Sequence, residues 1–172
     1  MGFGTIFATI AMLVIIGTAS YLSITVTLFS MDTLSESLRN ANEIDNERLK
    51  TEIEIVDINR SSQNDISVKL NNTGSTKILN SDFNHIDVFV YYDVVGAARG
   101  YVFKWIPYTE TSPPENDHWT VVSISPDLIN PGFFDPGEQM EIWIRVLDGM
   151  EPGSSNWLKI VMPNGVPDSG YF

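Results

Sequence analysis

The first thirty-one residues contain no Asp, Glu, Lys, Arg or His. From Ile6 to Met31 the chain reads IFATIAMLVIIGTASYLSITVTLFSM. As a helix that run is long enough to cross the roughly 30 Å hydrocarbon core of a bilayer with some tilt. Lipid offers no partner to a backbone N–H or C=O, so only helices and closed barrels span it, and one isolated run leaves the helix. Ile6, Phe7, Ile10, Leu13, Ile16, Leu22, Val26 and Phe29 are its expected anchor residues, embedded in membrane lipid. A removable secretory signal has a basic start and an apolar core of about 7–15 residues. No Lys or Arg precedes this run, and it is far longer. An uncleaved, single-pass anchor over 1–31 is the expectation.

All charge lies beyond that anchor, where the remaining chain is long enough for one domain with an adequate core. The formal net charge is −12. With no basic patch to neutralise phosphates, nucleic acid is excluded as a partner class. The chain has no cysteine, hence no disulfide and no thiolate chemistry. Its first base after the run is Arg39, behind Asp32 and Glu36. A short N-terminal tail inside the cell membrane and an acidic extracytoplasmic domain is the simpler arrangement. Two sequons, Asn59-Arg60-Ser61 and Asn71-Asn72-Thr73, fit such a domain and make Asn59 and Asn71 candidate glycosylation sites.

Residues 32–50 keep a helical period through Leu34, Leu38, Ala41 and Leu49, and read as a helical stalk, with a break near residue 32 left open. At about residue 51 the period changes to two. Ile53, Ile55 and Ile58, then Ile66, Val68 and Leu70, alternate with polar residues as half-buried strands do. Further strands are expected at 77–79, 86–92, 101–108, 119–124, 138–147 and 157–162, with turns at 71–75, 96–100, 130–132, 135–137 and 151–153. The segment 109–117, with Pro113-Pro114, is a loop, and 164–172 is an open tail. No second helix is expected. The fold class is mainly β: a transmembrane helix, then an immunoglobulin-like antiparallel β-sandwich over 51–172.

Several of these parts, taken in order, resemble one family. They are Met1-Gly2-Phe3-Gly4 directly before an apolar helix, Leu70-Asn71-Asn72-Thr73-Gly74-Ser75, Asp135-Pro136-Gly137-Glu138 before a strand, and the closing Met162-Pro163-Asn164-Gly165-Val166. The chain resembles accessory proteins of the archaellum, the archaeal flagellum, of the FlaF stator type first and the FlaG type second. The resemblance implies a non-enzymatic stator component whose sandwich binds surface-layer protein and holds the motor in the envelope alongside other archaellum accessory proteins. Archaellins share the helix-plus-sandwich plan, so a filament subunit polymerising through its N-terminal helix is the alternative.

No cofactor or metal is expected. His85 and His118 lie in separate segments without metal-ligand spacing. No nucleophile elbow and no glycine-rich phosphate loop occurs. The aromatic residues, among them Tyr91, Tyr101, Phe103 and Trp105, read as core and cross-strand pairs. On the 138–147 strand Met140, Ile142, Ile144 and Val146 claim one face. Glu141, Trp143 and Arg145 are left on the other as a candidate protein interface, for a homodimer or an envelope partner.

Overall fold

The computed structural model describes residues 2–95, 100–153 and 155–172. It contains a 48-residue helix α1 (Phe3–Lys50) and eight strands. The strands are β1 (Ile53–Arg60), β2 (Asp65–Asn72), β3 (Asp87–Asp93), β4 (Tyr101–Ile106), β5 (His118–Ser125), β6 (Gln139–Arg145), β7 (Trp157–Val161) and β8 (Pro167–Tyr171). The helix passes residue 32 without a break. Its hydroxyls at Thr25, Thr27, Ser30 and Thr33 all bond back to the carbonyl four residues earlier, which hides polar groups in an apolar run. It is long and apolar enough to cross a membrane. The chain forms two compact units, Met1–Asp45 and Asn46–Phe172, so the last turn of α1 belongs to the sandwich unit.

The strands form two antiparallel sheets, β1-β2-β6-β5 and β4-β3-β7-β8. This is the immunoglobulin arrangement, strands A, B, E and D facing C′, C, F and G. Period-two alternation fixes the inner faces, because a one-residue slip would turn every apolar side chain to solvent. Across β2 and β6, Ile66, Val68 and Leu70 stand opposite Ile144, Ile142 and Met140, all buried. Val88, Val90 and Tyr92 of β3 answer from the second sheet with Ile160 and Leu158 of β7. Trp119 and Phe134 fill the remaining core volume, completely buried. Each such side chain contributes about 1.5–3 kcal/mol by leaving water.

Three segments depart from the periodicity. The strand expected at 77–79 is reduced to an isolated bridge between Ile78 and Phe134. The chain then winds into a 3-10 helix, Asn80–His85, pinned by buried Phe83, so a second helical element does exist. A run of Asn, Ser and Asp satisfies backbone groups locally and breaks a ladder. The expected open tail instead carries β8, whose Pro-Asp-Ser-Gly-Tyr has poor strand propensity. Pairing with β7 overrides that propensity, and proline is tolerated at the first residue of an edge strand. A Cβ at Gly170 would lie 2.8 Å from Ile58 Cδ1, so a larger residue there would make the Ile58 side chain shift. Apart from Gly100, the turn expected at 96–100 lies outside the described residues.

Candidate protein-interaction faces

The three turn motifs gather at one end of the sandwich. Thr73 and Gly74 donate to the Glu52 carbonyl at 3.0 and 2.9 Å, and Ser75 to Lys50 at 2.7 Å. A Cβ on Gly74 would overlap the backbone of Lys50 and Glu52, so the glycine is needed for close approach. Buried Asn72 donates to Thr76 and Phe134, and its carbonyl accepts from Gly137, which holds a φ of 84°. From the β7–β8 turn, Asn164 donates to the Thr51 hydroxyl at 2.6 Å, and that hydroxyl donates to Glu47. These turns fasten the chain where the last turn of α1 enters β1.

On the outer face of the first sheet, β6 places Glu141, Trp143 and Arg145 outward, as its alternation requires. All three are half-buried and engaged within the sheet. The Trp143 indole N–H donates to Asp65 at 3.0 Å, Arg145 Nε donates to the same carboxylate oxygen at 2.8 Å, and the guanidinium lies 5.0 Å from the Trp143 ring centre. Glu141 accepts from Ser67 at 2.8 Å, and Arg145 also donates to the Pro114 carbonyl of the 109–117 loop. Partial burial would raise the Asp65 carboxyl, but donors from Arg145, Ser62 and Trp143 outweigh it and hold the group below its ordinary range. Asn59 and Asn71 lie on this face too. Asn59 is exposed on edge strand β1, whereas half-buried Asn71 accepts from Gln139.

The outer face of the second sheet is aromatic: of the rings expected as core and cross-strand pairs, these pair across strands but lie outside the core. Tyr101, Phe103 and Trp105 of edge strand β4 are 51%, 59% and 54% exposed, and Tyr171 on the opposite edge is 78% exposed. Tyr91 joins them from β3. Phe89 stacks on Phe103 at 5.6 Å and Tyr91 on Tyr101 at 4.9 Å, with planes within 8° of parallel. These separations are close to the strand spacing. Each of these four rings therefore covers one face of its neighbour. The Trp105 indole is fixed by donating to Asp87 at 2.8 Å.

A lysine between aromatics ordinarily marks the solvent side of a strand, and Lys104 alternates with those of β4. It points inward instead, between Asp117 at 3.0 Å and Asp148 at 2.9 Å. Burial would lower the Lys104 ammonium, but the two carboxylates dominate and raise it well above its ordinary value. Burial pushes the Tyr92 hydroxyl, beneath the same network, upward. His85 is exposed before β3, and His118 opens β5 on the other sheet with Nδ1 2.9 Å from the Asn116 carbonyl. Among the described residues no group of three His, Cys, Asp or Glu could hold a metal ion.

The archaeal-type flagellin family profile matches residues 1–172. An uncharacterised protein of Archaeoglobus fulgidus is 29% identical over 175 residues, covering 100% of this chain and 96% of that one. The fold is shared with the archaellum periplasmic stator protein FlaG of Sulfolobus acidocaldarius (TM-score 0.52, 24% identity, 71% of this chain and 99% of that chain). It is shared also with a chain of the FlaF–FlaG stator complex from the same organism (TM-score 0.51, 23% identity, 70% and 87%). With its long apolar helix and two four-stranded sheets, the chain belongs to the archaeal-type flagellin family, and so to the proteins of the archaellum.

Proposed function

We propose that this chain is a non-enzymatic stator component of the archaellum, held in the cell membrane by α1, whose extracytoplasmic sandwich grips a protein of the surface layer. The observation that carries the reading is the aromatic outer face of the second sheet. Tyr91, 37% exposed, and the four rings whose exposures are given above together present on the order of 600 Å² of surface. That is at the upper end of what a monomer leaves open, and close to the roughly 800 Å² per partner of a stable interface. Because Tyr91, Tyr101 and Phe103 each have a ring face covered by a stacked neighbour, the patch suits a protein's aliphatic and aromatic side chains better than a sugar platform. Tyrosine and tryptophan are also the residue types that dominate binding hot spots. The fold shared with stator proteins supports the same assignment.

The family's description as flagellin favours a second reading, a filament subunit assembled through α1. Two measurements separate them. In the stator reading, native protein stays in the membrane fraction, retains Phe3 in its mature form and captures the lattice-forming surface-layer protein. A filament subunit is instead recovered in sheared filaments with its N-terminus processed. Failure of the full chain, purified in detergent, to bind purified surface-layer protein rejects the stator reading.

A further inference from the structure

We propose that the free edge of β4 takes up an extended segment of the protein partner as an added strand, so that backbone hydrogen bonds hold the partner alongside the aromatic face. The inference deepens the proposed function and rests on it for the source of that segment, a surface-layer protein. Ladder alternation decides which backbone groups are on offer. In an antiparallel pair, facing residues alternately exchange hydrogen bonds and turn their N–H and C=O groups away. Val94 donates to the carbonyl of Gly100 opposite it, which sets the phase. In the register of β3 with β4, the bonded pairs are then Tyr92 with Val102, Val90 with Lys104, and Val88 with Ile106. Tyr101, Phe103 and Trp105 turn their backbone groups to the open side, where no other described strand pairs with β4. The bonds just beyond agree with that phase. The Pro107 carbonyl accepts from Trp119 at 3.0 Å, and Thr109 donates to the Trp119 carbonyl at 2.8 Å. The same edge is thus paired from residue 107 onward and free over 101–105.

The other edges are blunted. Edge strand β1 shifts register between Ile55 and Asp57, and its Ile55 N–H is taken by the Asp168 carboxylate at 2.6 Å. Edge strand β5 shifts register between Val121 and Ser123, and β8 is five residues long and opens on Pro167. Bulges, prolines and short strands all deter pairing with another chain. By contrast, β4 runs six residues, about 20 Å, in unbroken register. Its one charge, Lys104, faces inward and is already held by Asp117 and Asp148, so an added strand leaves it undisturbed. Its outward side chains over 101–105 are all aromatic.

Area and geometry choose the occupant. The rings offer on the order of 600 Å², short of the roughly 800 Å² per partner of a stable interface, and a strand along β4 extends the contact around the edge. A second copy of this chain does not fit. Two identical edges join in one sheet only antiparallel, which would set the α1 ends of the two sandwiches at opposite ends of the joined sheet. Copies anchored in one membrane share a direction instead. A net charge of −12 on each copy opposes the same pairing. The fitting segment is extended, with aliphatic or aromatic residues at alternate positions against the rings. Basic residues suit its end nearest Asp93, which closes the outward row of β3.

The test uses the full chain in detergent with purified surface-layer protein. Residue-resolved hydrogen exchange should slow the Tyr101, Phe103 and Trp105 amides roughly tenfold or more in the complex. The Val102 and Lys104 amides, bonded to β3 throughout, should change little. Phe103→Ala removes a ring, whereas Phe103→Pro removes the ring and the outward N–H while sparing the ladder to β3. The proline variant should bind about fivefold more weakly than the alanine variant. The exchange pattern decides the matter even if the proline variant fails to fold. Binding with unprotected edge amides, and equal affinities for the two variants, overturns strand addition and leaves the aromatic face as the whole interface. Edge protection in the chain alone, accompanied by a dimer mass, gives the edge to a second copy and overturns it too. A parent chain that binds no surface-layer protein refutes the stator reading, and with it the partner assigned here.

Discussion

The two outer faces of the sandwich are built from the same period-two pattern, yet they treat their aromatic residues in opposite ways. On the first sheet Trp143 is drawn into a closed arrangement, its N–H on Asp65 and its ring beside Arg145. On the second sheet Tyr101, Phe103 and Trp105 stand half-exposed on an edge strand, with the Trp105 indole N–H tied to Asp87. A tryptophan whose surroundings satisfy it serves folding. A row of rings that remains half-exposed after stacking on the next strand leaves surface for something else. Position on a face therefore says less about role than what the neighbouring strands supply.

The contrast should appear first in stability. Trp143→Ala strips a half-buried indole and leaves Asp65 and Arg145 without their packing partner, so it should cost about 3 kcal/mol. Trp105→Ala should cost under about 1 kcal/mol, the range of exposed substitutions. Denaturant unfolding of the detergent-solubilised chain checks both, and equal losses would erase the distinction between the faces.

Next comes the Lys104 network, which explains why the aromatic face points outward. Lys104→Met should cost about 1–2 kcal/mol at neutral pH, as Asp117 and Asp148 lose their partner while partly solvated. The folded-state ammonium is raised, so its stabilisation is complete below the ordinary lysine value and is lost as pH rises through the higher folded one. The gap between the parent and Lys104→Met should therefore be flat from neutral pH into the mildly alkaline range and close only in strong alkali. Narrowing already near pH 8 would contradict the assignment.

Much of this architecture was legible from residues. The uncharged run before Asp32, the change of period at residue 51 and the turn chemistry of Asn-Thr-Gly and Asp-Pro-Gly gave the helix and most of the strands. Trp143, Glu141 and Arg145 were correctly turned outward by alternation. What escaped was set by distant partners. The strand β8 exists because β7 offers it a ladder, and Lys104 can face inward only because Asp117 and Asp148, far along the chain, come to meet it. The outward turn of the β4 aromatics follows from the same fact, since a lysine between aromatics ordinarily marks the wet side of a strand.

A smaller effect probes the polar face. The Asp65 carboxyl is depressed on folding, so it contributes stability above its ordinary value, which disappears as pH falls through the lower folded one. Asp65→Asn should be about 1–2 kcal/mol less stable than the parent at pH 7, and the difference should shrink below about pH 4. Melting curves across pH 2–7 would show it. A difference that persists undiminished at the lowest pH would show that Asp65 acts through shape alone.

The claim that the second sheet's outer face is the docking face is tested most directly by binding. The full chain in detergent, titrated with purified surface-layer protein, should lose about 2 kcal/mol or more of affinity, roughly thirtyfold, in Phe103→Ser with Trp105→Ser. Its melting temperature should stay near the parent's. Glu141→Gln on the first sheet should bind as the parent does. Undiminished binding by the Phe103/Trp105 variant, with loss in Glu141→Gln, would contradict the account and move the interface to the other face.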